Sequence, residues 1–313
     1  MTSVPKIIYM GTPAFAVPSL YRIHQSVAPV QLVVTQPDRP TGRGRKIFCP
    51  PVKEAALHLG CNVLQPTSVR TPEFADTIRK IEPDIIVVVA YGHILTKELL
   101  EIPKLGALNI HASLLPKYRG PAPIQWAIIN REPVTGVTIM AMDTGLDTGD
   151  VLAVRQHAIR PDDTSQSLHD RLAEIGADLL VETLEAIRTG AVIPVPQKHD
   201  EATYAPLLKK ADGRIEWSFP AEKITAFIRG MTPWPGAFTF YGDKRLKIFS
   251  AEAVQLAPPQ PPGTVVKAFA DELRVATGSG ALSILEIQGA SGRRLPIRDF
   301  LRGSKIPPGA VLS

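Results

Sequence analysis

Four apolar runs within the first 112 residues restrict the fold more than any other feature. KIIYM (6–10), VQLVVTQ (30–36), DIIVVVAY (84–91) and GALNIHA (106–112) are bounded by Gly, Pro or polar residues, with helical-length segments between them. Runs that stay apolar, without alternation, belong to strands covered on both faces. Their alternation with helices builds βαβ units, which set the strands parallel in one sheet. The helix candidates are FAVPSLYRIHQ (15–25), VKEAALHLG (52–60) and the long amphipathic segment 165–190, which Gly190 stops. The expected class is α/β, with a Rossmann-like, doubly wound, mainly parallel sheet.

The pattern changes after Gly190. AVIPVPQKHDEATYAPLLKKADG carries prolines and no sustained period, as an interdomain linker does. One helix at 219–230 is followed by AFTFY, LKIFSAEAV, GTVVKAF, ELRVATG and LSILEIQ, separated by Gly, Asp or Pro. Short strands so spaced imply a smaller OB-like antiparallel β-barrel. The chain of 313 residues suits two domains, and the expected division is a first domain over 1–189, a linker over 190–208 and a second domain over 209–313.

Composition removes several classes. With 44% hydrophobic and 21% charged residues the chain reads as globular, not as a disordered or fibrous protein. Its longest apolar run, IIVVVA at 85–90, is far short of the roughly 20 residues that span a bilayer. MTSVPKIIYMG enters a strand at once, leaving no room for a signal segment, so a cytoplasmic location and no membrane partner are expected. Cys49 and Cys61 stand alone, without the spacing of a disulfide framework or a zinc site, and no metal is expected. Residues 1–200 hold equal numbers of basic and acidic side chains, so the net +5 lies wholly in the C-terminal third. A polyanion partner and a solvated surface both fit that excess.

A doubly wound sheet binds ligands at the carboxyl ends of its strands. The first such turn, MGTPAFA (10–16), lacks GxGxxG, which argues against a dinucleotide. Asn109 and His111 are two residues apart and therefore share one face of a strand that ends in a Ser-Leu-Leu-Pro bend. TGVTIMAMDTGLDTGDVL (135–152) reads as a strand entering two Asp-x-Gly turns of a hairpin, with Asp143, Asp147 and Asp150 as turn formers or site residues. Taken together, an amide donor, an imidazole and a carboxylate at one sheet edge are the parts acyl transfer needs. No GxSxG nucleophile is present, so the acyl group is expected to pass directly between substrates.

NIHASLLPKYRGPAPIQW (109–126), followed by GVTIMAMDTGLDTGDVL, resembles the signature of the folate-dependent formyltransferases. IIYMGTPAFAVPSL, QPDRPTGRGRK (36–46), GRIEW (213–217) and TPWPGAF (232–238) resemble the branch of that family that acts on an aminoacylated tRNA. The resemblance implies a monomer that moves the formyl group of 10-formyltetrahydrofolate to the α-amino group of initiator methionyl-tRNA for translation initiation. It places the catalytic roles on Asn109, His111 and Asp147, with Asp147 orienting His111, and the folate contacts on Ser113, Leu114, Leu115 and Pro116. It places tRNA contacts on a mobile arginine loop with Arg39, Arg43, Arg45 and Lys46. The second domain, with Lys209, Lys210, Lys244, Arg245, Lys247, Arg293, Arg294 and Arg298, then holds the acceptor arm through phosphates.

Lys117 and Arg119 read equally as ligand contacts and as solvated loop cations. His24, His58, His157 and His169 show no partner pattern, and Trp217 and Trp234 are assigned to packing in the second domain. Other formyltransferases, acting on a sugar amine or a ribonucleotide amine, share the Asn-His-Asp set; the basic loop and basic second domain favour tRNA.

Overall fold

The computed structural model describes residues 4–41, 46–269, 271–289 and 292–313. The chain divides into two compact units, one of Met1–Gly120, Val134–Ala158 and His169–Ala205, the other of Pro121–Pro133, Ile159–Leu168 and Pro206–Ser313.

In chain order the elements of the first half are β1 (Ile7–Gly11), α1 (Val17–Ser26), β2 (Leu32–Val34), β3 (Arg39–Thr41), β4 (Lys46–Phe48), α2 (Pro51–His58), β5 (Val63–Leu64), α3 (Pro72–Ile81), β6 (Ile85–Val89), α4 (Lys97–Leu100), β7 (Ala107–His111), α5 (Pro123–Ile129), β8 (Val134–Ala141), β9 (Val151–Ala158) and α6 (Ser165–Thr189). Seven strands form one sheet in the order β5-β2-β1-β6-β7-β8-β9. The first five run parallel, and the β8–β9 hairpin joins antiparallel beyond β7. Every residue of β1 and β6 is buried, as unbroken apolar runs require. Each such Ile or Val contributes on the order of 1.5–3 kcal/mol on leaving water. The expected α/β class and the expected hairpin are both present.

Short polar contacts tie strand ends together. The Lys6 backbone N–H donates to Asp84 Oδ2 at 2.8 Å, joining the start of β1 to that of β6. Helix α3 begins at Pro72, with Thr71 Oγ1 accepting from Phe74 N at 3.3 Å, an N-cap contributing roughly 1 kcal/mol. The Thr-Pro start was present in the sequence, yet α3, α5 and β5 do not figure among the expected elements.

The second half contains α7 (Ala221–Met231), β10 (Ala237–Tyr241), β11 (Lys244–Val254), β12 (Val265–Phe269), β13 (Glu272–Ala276), β14 (Ala281–Gln288), β15 (Arg294–Pro296) and α8 (Ile297–Gly303). Its antiparallel sheet has the order β10-β11-β14-β13-β12, with β15 on β14. Trp217, Ile224, Ile228, Leu246, Leu273 and Ile284 are among its core residues, and the Trp217 indole N–H donates to Thr239 Oγ1 at 3.0 Å. α5 packs against α7 in this unit, where a Cβ on Gly230 would meet Gln125 O at 2.9 Å. Trp234 departs from its expected packing role: it is 48% exposed. Among the described residues no helix is long and apolar enough to cross a membrane.

Candidate active site

Strand β7 carries Asn109 and His111 to the sheet's carboxyl edge, with Asn109 between Val88 and Met140 and His111 opposite Thr138. His111 is buried and Asn109 half-buried. No described residue takes up the Asn109 side-chain amide.

Beyond His111 the chain reverses over Ser113–Lys117. Ser113 Oγ donates to Lys117 O at 2.6 Å, and Lys117 N donates to Leu114 O at 3.1 Å. Thr138 Oγ1 on β8 donates to Ser113 O at 2.7 Å and accepts from Leu115 N at 3.2 Å. The reversal sets Tyr118 O 2.9 Å from His111 Nε2. A carbonyl only accepts, so Nε2 carries a hydrogen, and in the neutral tautomer Nδ1 is the nitrogen left to accept a proton. Nδ1 faces Asp147 Oδ2 at 3.6 Å, within ion-pair reach but beyond a hydrogen bond. The ring's hydrogen bond is therefore to Tyr118, a departure from the expectation that Asp147 orients it. Asp147 Oδ2 accepts from Gly120 N at 2.7 Å. Tyr118 and Asp147 both have left-handed backbones, at φ 61° and 52°. Such conformations in non-glycine residues persist where surrounding contacts fix them.

Between the two anchors lies Arg119, which is no solvated loop cation: it is 2% exposed. Its Nε and Nη2 donate to Gln197 Oε1 at 3.1 and 2.7 Å, and Nη2 also donates to His199 Nδ1 at 3.1 Å. Its backbone N donates to Thr203 O at 2.9 Å and its carbonyl accepts from Ala205 N at 2.7 Å. Gln197 Nε2 donates to both Asp147 O and Gly149 O, at 2.9 and 2.7 Å. The stretch read as linker thus reaches the Asp147 turn, and Val195 pairs with Val151 as an isolated bridge. Nothing in PVPQKHD marks Gln197, and KYRG gives no local sign that Arg119 is covered while Lys117 stays exposed.

Ser113, expected to meet folate, has its hydroxyl committed to the turn; Leu115 is buried and Leu114 and Pro116 are half-buried. Asp143 is a turn former, its Oδ1 accepting from Gly145 N and Thr148 Oγ1. Among the described residues no group of three His, Cys, Asp or Glu could hold a metal.

The basic residues sort by their partners. Arg294 pairs with Glu286 and Arg298 lies 3.8 Å from Asp299. Lys209, Lys210, Lys244, Arg245 and Arg293 are exposed, Lys247 is half-buried, and Arg245 lies 3.6 Å from the Phe238 ring centroid. Arg39 is exposed and donates to Gln36 Oε1 at 2.9 Å, at the start of β3, which pairs antiparallel with β4. Arg43 and Arg45 lie outside the described residues, as does the side chain of Lys46.

Two family models match the chain: formyl transferase over residues 6–184 and the formyl transferase C-terminal domain over 207–305. A methionyl-tRNA formyltransferase of Caldanaerobacter subterraneus subsp. tengcongensis is 53% identical over 308 residues, 98% of this chain and 99% of that one. Among solved structures, methionyl-tRNA formyltransferase from Clostridium thermocellum is similar with a TM-score of 0.58 and 21% identity, over 79% of this chain and 93% of that one. HypX from Aquifex aeolicus in complex with tetrahydrofolic acid is similar with a TM-score of 0.63 and 21% identity, over 98% of this chain and 49% of that one.

Proposed function

The chain belongs to the formyl transferase family, and from that premise we infer how its own residues carry the reaction. It transfers the formyl group of 10-formyltetrahydrofolate to the α-amino group of initiator methionyl-tRNA. The folate is a co-substrate that supplies a one-carbon unit already at the oxidation level of the product. What supports the assignment of roles is one juxtaposition: the uncommitted Asn109 amide lies on the same strand face as His111, whose Nδ1 faces Asp147 at 3.6 Å.

As the amine adds to the formyl carbon, negative charge gathers on the carbonyl oxygen, and Asn109 donates its amide N–H there. His111 cannot release its Nε2 proton usefully while Tyr118 O holds it, so Nδ1 takes the proton that the amine must lose. Asp147 stabilises the imidazolium so formed, and the protonated ring becomes a second donor to the oxyanion. When the oxyanion collapses, the bond from the formyl carbon to folate N10 breaks and the ring returns its proton to that nitrogen, releasing tetrahydrofolate and the formylated amine. Leu114, Leu115 and Pro116 form an apolar wall for the folate ring system, with Ser113 holding that wall in shape. Lys209, Lys210 and Lys247 meet tRNA phosphates, and Arg39, Arg43, Arg45 and Lys46 meet its acceptor end. The catalytic domain, expected over 1–189, takes in the expected linker as far as Ala205; the tRNA-binding domain is 209–313, and the enzyme works as a cytoplasmic monomer.

The test is transfer of labelled formyl from 10-formyltetrahydrofolate to initiator methionyl-tRNA, beside elongator methionyl-tRNA and a nucleotide-linked sugar amine. Label on the initiator alone is the expected result. Label on the sugar would retain the formyl chemistry and overturn the acceptor.

A further inference from the structure

A guanidinium taken out of water is costly unless its donors are engaged. Arg119 is 2% exposed and its side-chain partners, Gln197 Oε1 and His199 Nδ1, include no carboxylate. A cation can only donate, so it fixes which end of the Gln197 amide is oxygen. The amide nitrogen must then point the other way, where it donates to Asp147 O and Gly149 O. Both carbonyls belong to the turn in which Asp147 keeps its left-handed backbone. The main chain on either side of Arg119 holds the other ends, Tyr118 O on His111 and Gly120 N on the Asp147 carboxylate.

We propose that Arg119 and Gln197 are positioning residues for the transfer: Arg119 orients the Gln197 amide, and Gln197 fixes the Asp147 turn so that the carboxylate stays within reach of His111. Neither touches the reacting atoms. The segment 195–205, beyond the expected catalytic domain, is therefore part of the catalytic apparatus. This rests on the formyl-transfer reading above.

The experiment measures kcat and KM for both substrates, and the thermal unfolding midpoint, in the full chain and in Gln197→Met, Gln197→Glu, Asp147→Asn and the Asp147→Asn, Gln197→Met double variant. Gln197→Met lowers kcat between about tenfold and a hundredfold, the scale of a small misplacement of a reacting group, with both KM values within about twofold. Gln197→Glu lowers kcat too, because it still accepts from Arg119 but turns a carboxylate oxygen toward two carbonyls; it decides the matter if Gln197→Met does not fold. In the Asp147→Asn background, Gln197→Met costs less than about twofold more, since its effect runs through Asp147. A wild-type kcat in either Gln197 variant, or the same fold loss with and without Asp147, would overturn the proposal. Absence of transfer by the unmodified chain would overturn the reaction and, with it, the positioning roles.

Discussion

His111 Nδ1 stands 3.6 Å from Asp147 Oδ2, and each partner is held by a backbone group of one short stretch, Tyr118 O on the ring and Gly120 N on the carboxylate. The pair is thus positioned by its surroundings and not by a bond of its own. Removing the charge is separable from removing the anchor. Asp147→Asn keeps an oxygen for Gly120 N and a residue type tolerant of the left-handed region, so it should lower kcat by roughly 10²–10⁴ with little loss of stability. Asp147→Ala should lower kcat as far and also destabilise the fold by about 1–3 kcal/mol. Single-turnover kinetics and denaturant unfolding on the two variants check both halves.

Gly120 has φ 113°, a region that side chains avoid, and a Cβ there would lie 2.9 Å from Ala205 O. Gly120→Ala should therefore cost about 1–3 kcal/mol and displace the N–H that holds Asp147. A variant with unchanged urea midpoint and unchanged kcat would refute this account of the turn.

Tyr91 lies fully buried just beyond β6, its hydroxyl without a hydrogen-bond partner among the described residues, and burial pushes its pKa up to about 12. Tyr91→Phe should be neutral or stabilising by about 1 kcal/mol at neutral pH, because it removes an unsatisfied buried group. The folded pKa is above the unfolded one, so the Tyr91 contribution is constant below about pH 10 and lost as pH rises toward 12. The variant should lose less stability than the parent on the alkaline side in pH-dependent melting.

The Lys6 backbone N–H, aided by the Lys104 ammonium, holds the Asp84 carboxyl below the usual carboxylate range. Because the folded pKa is depressed, the stabilisation is present above the unfolded value of about 3.9 and disappears as pH falls through the folded value. Unfolding free energy followed from neutral pH down to about pH 2.5 should fall more steeply in the parent than in Asp84→Asn. Parallel curves would remove Asp84 from the acid transition.

Lys209 and Lys210 are exposed and form no ion pair among the described residues. Each lysine that meets a tRNA phosphate should, when changed to alanine, reduce the slope of log K against log salt by about 0.9. Lys198, which lies 3.0 Å from Glu201, serves as the control that leaves the slope unchanged. Equal slopes in all variants would place the phosphate contacts elsewhere.

Much of this was legible in the order of residues, and the limits have particular addresses. IIYM and IIVVV announced strands covered on both sides, and both are wholly buried in the sheet. Asn109 and His111 share a face because a strand repeats every two residues. The Thr71-Pro72 start of α3 and its apolar residues Phe74, Ala75, Ile78 and Ile81 at helical spacing are equally legible in the sequence. The basic loop proved harder: its described ends pair as β3 and β4, with Asp38 bound to Lys53 at 2.6 Å and to Gln65 at 2.8 Å.

The sequence alone determined the strand and helix periods, the division of charge and the motif that marks the family, because each is written in neighbouring residues. Tertiary structure decided that Arg119 is covered, that Gln197 lies 78 positions away against it, and that a presumed linker braces the Asp147 turn. An exposed arginine and a buried one look alike locally. They differ only in whether distant chain returns to satisfy their donors, and that is settled when the fold closes around them.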